Sequence, residues 1–223
     1  MTNASSERRF WLKHLGLAGA AAMSSGLGLT TLIGRALAAD ATPGMRRLSG
    51  SVTVNGQAAR PGTLVQPGDT VVTGASAEAV FVVDKNAFLQ RGDSRVTFGD
   101  NAAAGFLRII SGRLLSVFDH GQRRLETPTA VLGLRGTACY IEAEAERVYF
   151  CLCYGEAELT PSVAPQEREV YSTTHHDRPM YIYSDMKMPK MAVPAEVINH
   201  SDAELTMLEA LVGRRPPYVS ISY

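Results

Sequence analysis

The chain has 223 residues, 45% of them hydrophobic and 20% charged, with 22 Lys+Arg against 22 Asp+Glu. That composition belongs to a globular protein and excludes a disordered one; the length fits one domain with an appendage. The neutrality is a cancellation: after residue 38 the chain carries 18 basic and 21 acidic residues, and its basic residues gather only in pairs such as Arg46-Arg47, Arg123-Arg124 and Arg214-Arg215, so nucleic acid is excluded as a partner.

Residues 1–39 read as an export signal. Arg8 and Arg9 precede Phe10, Trp11, Leu12 and Lys13. A Gly- and Ala-rich apolar stretch follows, then Arg35 and an A-x-A site at Ala36 and Ala38. Adjacent arginines before an aromatic, a leucine and a lysine resemble a twin-arginine signal. The resemblance implies the twin-arginine machinery as a partner, translocation of a folded protein, cleavage near Ala38 and a periplasmic location. No later apolar run approaches bilayer length, so no stable membrane span is expected after cleavage.

Residues 40–47 read as a linker. From residue 48 to 160 the chain is a series of short strand-like runs: Gly50–Val54, Asp69–Thr73, Ala79–Val83, Arg95–Phe98, Gly105–Ile110, Arg113–Phe118, Ala130–Leu134, Ala138–Ile141 and Val148–Tyr154. Turn pairs such as Asn55-Gly56, Pro67-Gly68 and His120-Gly121 punctuate them. The spacing predicts a mainly β fold, an antiparallel roll or sandwich.

The order of these runs resembles the FecR (ferric-citrate regulator) domain. Val54-Asn55-Gly56, Pro67-Gly68-Asp69, Phe81-x-Val83-Asp84 and Gly112-x-Leu114 follow its sequence of motifs. Thr127-Pro128 through Arg135-Gly136-Thr137, then Gly155-Glu156-Ala157, matches its most specific stretch. The resemblance implies a periplasmic β module that binds or senses a protein or small ligand. The family's transmembrane regulators carry a cytoplasmic sigma-factor-binding segment; an export signal stands there in this sequence, so that role is not expected to transfer. Turn chemistry gives Arg135-Gly136-Thr137 a structural role.

All three cysteines fall within 15 residues: Cys139, Cys151 and Cys153. In a strand Cys151 and Cys153 share a face. Whether Cys139 joins them depends on a one-residue register choice in the hairpin; the fit to the family pattern places it on the other face, with Phe150 and Leu152. Three readings stay open: buried free thiols, a disulfide, best as Cys139–Cys151, or a metal or redox site. His175-His176-Asp177 favours the last, because imidazoles beside a carboxylate are common metal ligands. Cys151, Cys153, His175 and His176 are the candidate ligands, with Cys139 or His200 as a further one, and Zn, Cu or Fe as the metal.

Residues 161–223 read as an extension with a loop and a helix at about 202–212. Ser201 and Glu204 form a capping box. Leu205, Leu208 and Leu211 make an apolar stripe and Gly213 ends it. In this reading His200 simply precedes the cap, and Met186, Met188 and Met191 lie in a connector. No nucleophile elbow, P-loop or nucleotide fingerprint is present. The function expected is thus a non-enzymatic binding, sensing or assembly module, with a Cys/His metal or redox protein as the alternative.

Overall fold

The computed structural model describes residues 42–99 and 106–219. The export segment, with Arg8, Arg9, Ala36 and Ala38, lies outside the described residues. The described chain is mostly strand with one α-helix, as the turn spacing predicts.

Among the described residues fourteen strands make one continuous sheet: β1 (Gly44–Ser49), β2 (Val52–Val54), β3 (Gln57–Ala58), β4 (Thr70–Thr73), β5 (Glu78–Val83), β6 (Asn86–Gln90), β7 (Ser94–Phe98), β8 (Phe106–Val117), β9 (Gln122–Glu126), β10 (Ala130–Ala143), β11 (Arg147–Pro161), β12 (Glu169–Thr173), β13 (Met180–Tyr183) and β14 (Ala192–Pro194). Every pairing is antiparallel except β8 with β9. The long strands branch. The first half of β10 pairs with β9 and its second half with β8; β11 pairs first with β13 and then with β12.

Two expectations about boundaries change. Of the proposed linker 40–47, residues 44–47 are strand: Met45 is 1% exposed and pairs with Phe81, so its burial recruits them to β5. The extension beyond 160 is not a loop before the helix. It adds β12, β13 and β14 to the sheet, where Tyr171, Met180 and Ile182 complete the large core.

That large core runs from Val52, Val71 and Val96 through Phe81, Phe88 and Leu114 to Leu132, Leu159 and Tyr171. A second core lies on the opposite face of β5, β6, β8, β10 and β11, where helix α1 (Asp202–Leu211) covers Val80, Leu89, Leu115, Val117, Tyr140 and Tyr149. The run Val148–Tyr154 is therefore buried on both faces, which explains why it is continuously apolar rather than alternating.

Helix α1 is pinned at both ends. Ser201 and Glu204 form the capping box, and Glu204 also accepts from Arg91 at 2.7 Å. Leu205 and Leu208 are fully buried. At the far end the buried Glu209 accepts hydrogen bonds from Tyr154 and Arg214.

Paired irregularities sit where the sheet branches. Between Arg135 and Ala138, β10 carries an extra residue; between Ala138 and Cys139, the extra residue is on β11, at Cys153. Gly136 and Gly155 both have positive φ there, and a Cβ on Gly155 would lie 2.7 Å from the Gly136 carbonyl oxygen. Gly155→Ala is thus expected to destabilise the fold by about 2–4 kcal/mol, from left-handed strain plus a backbone clash. Urea unfolding measures it, and an unchanged midpoint would contradict this account of the bulge. Arg135 is exposed and lines an open groove with Arg124, Glu156 and Val170.

Candidate metal centre

Residues from three segments meet on the helix-covered face. β11 supplies Cys151 and Cys153, both fully buried. The β12–β13 loop supplies His176. Its backbone N–H donates to the Cys153 carbonyl at 2.9 Å, which ties the loop to the strand. The residues before α1 supply His200. One donor atom from each of these four side chains lies within 4.8 Å of the others.

The backbone is bent to present both imidazoles. His176 has φ +54°, and Asn199, just before His200, also has φ +54°. The other described non-glycine residues with positive φ are Asn55, Asp84 and Asp93, of the types that tolerate it best. Histidine is enriched in this region alongside asparagine and aspartate, so both turns use residue types that accept it.

The outer ring nitrogens are fixed. His200 Nδ1 donates to the Ile198 carbonyl at 2.6 Å, and its ring stacks on Tyr140 at 4.6 Å. His176 Nε2 donates to Asp202 at 3.1 Å. A carbonyl or ionised carboxylate only accepts, so both outer nitrogens carry hydrogen. Asp202 is held ionised: burial works to raise its pKa, but hydrogen bonds from His175 and His176 outweigh that and lower it.

The inner nitrogens, His176 Nδ1 and His200 Nε2, face each other at 3.0 Å. In neutral rings both are bare lone pairs, and two lone pairs at that distance repel. Either a proton on one ring or a cation between them relieves the conflict. Cys151 Sγ lies 3.4 Å from His176 Nδ1.

Without a cation the proton has a defined place. The Cys151 thiol is drawn down to about 4 by the Cys153 thiol and then, against burial, by His176 and His200. Burial tends to lower the pKa of His176, yet the hydrogen bonds and charges of Cys151 and Asp202 raise it overall. Cys153 is pushed up by burial and by the neighbouring Cys151. In the metal-free centre these shifts favour a thiolate at Cys151, a proton on His176 and a thiol at Cys153.

The structure sorts the sequence candidates. Cys151, Cys153 and His176 come together and His200 joins them. His175 does not join that set; its Nε2 lies 2.9 Å from both Asp202 oxygens. The carboxylate that orients His176 is Asp202 rather than the adjacent Asp177, which accepts from Thr174 and closes its own turn. The Cys139–Cys151 disulfide is corrected. All three cysteines are free; Cys139 pairs with Leu152 and lies in the large core, while Cys151 faces the second core opposite Tyr140. Burial, then the charge of Cys151, raises the Cys139 pKa far above its ordinary value.

No family model and no curated protein matches the chain. Two crystal structures of a "putative anti-sigma factor" from Parabacteroides distasonis ATCC 8503 are similar in fold. One has a TM-score of 0.46 at 7% identity and the other 0.45 at 8%, each match covering 56% of this chain and 58% of that one. The match thus spans little more than half the length of that protein. Among the described residues no helix is long and apolar enough to cross a membrane.

Proposed function

We propose that this chain is an exported FecR-type β module that holds one transition-metal ion between Cys151, Cys153, His176 and His200, and that it binds or senses rather than catalyses. The observation that carries the metal is the pair of inner imidazole nitrogens aimed at each other beside Cys151 while both outer nitrogens are committed to acceptors. Imidazoles whose far N–H is held by a carbonyl or carboxylate are the usual second layer of a metal site. Two thiolates and two imidazoles suit a tetrahedral ion, zinc before copper or iron. Bonds of 2.0–2.3 Å set donor separations of roughly 3.3–3.8 Å, and the separations of 3.0 and 3.4 Å here come close.

A binding role follows from the ligand count. Four protein donors fill a tetrahedron and leave no position for substrate. Cys151 has the low pKa of a nucleophile, but at 0% exposure it offers no approach to one. The FecR-type reading rests on the order of motifs from Val54 to Ala157. The export reading rests on Arg8, Arg9 and the apolar stretch to Ala38.

Elemental analysis with a thiol count on the purified full chain tests the metal. The expected result is one equivalent of zinc, copper or iron and three titratable thiols after denaturation. A chain that takes up none of these ions, with its fold intact, overturns the metal. Export has its own test. Replacing Arg8 and Arg9 together by lysine is expected to keep the protein in the cytoplasmic fraction, and unimpaired appearance in the periplasm would contradict the twin-arginine route.

A further inference from the structure

We propose that His175, His176 and Asp202 form a second, solvent-facing cation site through which the ion reaches the buried centre. The inference rests on the metal reading above and adds a path to it.

The three side chains offer donor atoms within 4.8 Å of one another. His175 Nε2 stands 2.9 Å from Asp202 and His176 Nε2 stands 3.1 Å from the same Oδ1. Both imidazoles present Nε2 to the shared carboxylate. The His175 ring is steadied by Tyr218 at 4.2 Å. Exposure falls along one line: the side chains of Asp202 and His175 are 52% and 46% exposed, that of His176 is 10% exposed, and the two cysteines are fully buried. An ion coming from water therefore meets Asp202 and His175 before it meets the thiols.

His176 belongs to both sets through opposite nitrogens, Nε2 outward and Nδ1 inward. The donor chemistry also changes along the line. The outer set is two nitrogens and a carboxylate, three donors that leave positions for water. The inner set is two sulfurs and two nitrogens, softer and complete. A borderline ion such as zinc binds the first weakly and the second tightly, so the gradient runs inward. Binding outside displaces to solvent the Nε2 proton that His176 gives Asp202 and leaves its ring proton on Nδ1; as the ion moves in, Nδ1 becomes the ligand, that proton passes to Nε2, facing Asp202, and the Cys153 thiol proton leaves to solvent.

The test uses metal-free full-length protein and cobalt(II) alone as the probe. Thiolate-to-cobalt absorption reports the inner site, and calorimetric titration counts equivalents. Wild type is expected to take one tight and one weaker equivalent. His175→Ala is expected to lose the weaker one and to load the inner site several-fold more slowly, while reaching the wild-type final absorbance. His120→Ala, an exposed histidine elsewhere, should match wild type. A wild type that takes only one equivalent, or a His175→Ala that loads at the wild-type rate, overturns the access site and leaves the inner centre standing. A His175→Ala that ends at lower absorbance also overturns it, since His175 would then serve the inner site. A wild type with no thiolate-to-cobalt band overturns both readings.

Discussion

Cys153→Ser is expected to leave a folded protein that loses its metal affinity by more than 100-fold, whereas Cys139→Ser keeps wild-type affinity. The two cysteines are equally buried, so a general effect of placing a hydroxyl in the core would be similar for both. They differ in which face of the sheet they occupy. Cys139 packs in the large core opposite Leu152, away from both histidines. Cys153 lies on the helix-covered face with its Sγ inside the ligand set. Loss of an outer-layer partner costs 10–100-fold at a metal site, and loss of a ligand costs more. Competition with a chromophoric chelator gives the affinities, and circular dichroism confirms that both variants fold. Equal losses in the two variants would remove the distinction between the faces.

Zinc affinity is expected to rise steeply with pH, by about 100-fold per unit wherever His176 is still protonated, because binding then displaces about two protons. One comes from Cys153, whose thiol is held protonated by burial and by Cys151. The other comes from His176, whose pKa is raised overall by Cys151 and Asp202 although burial opposes them. Cys151 contributes none in this range, being already a thiolate down to about pH 4. The sign follows: a raised pKa means a proton that the ion must expel, so acid weakens binding. Above the pKa of His176 only the Cys153 proton remains to be lost and the slope falls to about 10-fold per unit. Chelator competition across buffers measures the slope. A flat profile would contradict the protonation pattern of the metal-free centre.

The β class was legible because turn pairs and short apolar runs recur at the spacing of a strand-rich fold. The helix was legible because the capping box Ser201–Glu204 stands before a clean apolar stripe, and α1 starts at Asp202. Strands β12 to β14 were missed: Glu169–Thr173 and Met180–Tyr183 are short, and their burial comes from lying beside β11. The cysteine faces turned on hairpin register. A turn centred on Ala145 would set Cys139 opposite Cys151; the observed pairing of Glu142 with Tyr149 shifts that by one position. His175 and His176 are indistinguishable by composition. The positive φ of His176, set by the loop's contact with Cys153, turns one ring inward. His200 had a sufficient local explanation as the residue before a helix cap. Its place beside His176 comes from docking α1 across β6 and β8, which is tertiary and leaves no periodic trace in the chain. The nearest signal was chemical: a third histidine, two residues before Asp202.

X-ray absorption at the metal edge of the purified, metal-loaded full-length protein tests the central claim most directly. The account predicts two sulfur scatterers at about 2.3 Å and two imidazole nitrogens at about 2.0–2.1 Å. A shell of oxygen and nitrogen without sulfur would contradict it, because the ion would then lie outside the set formed by Cys151, Cys153, His176 and His200.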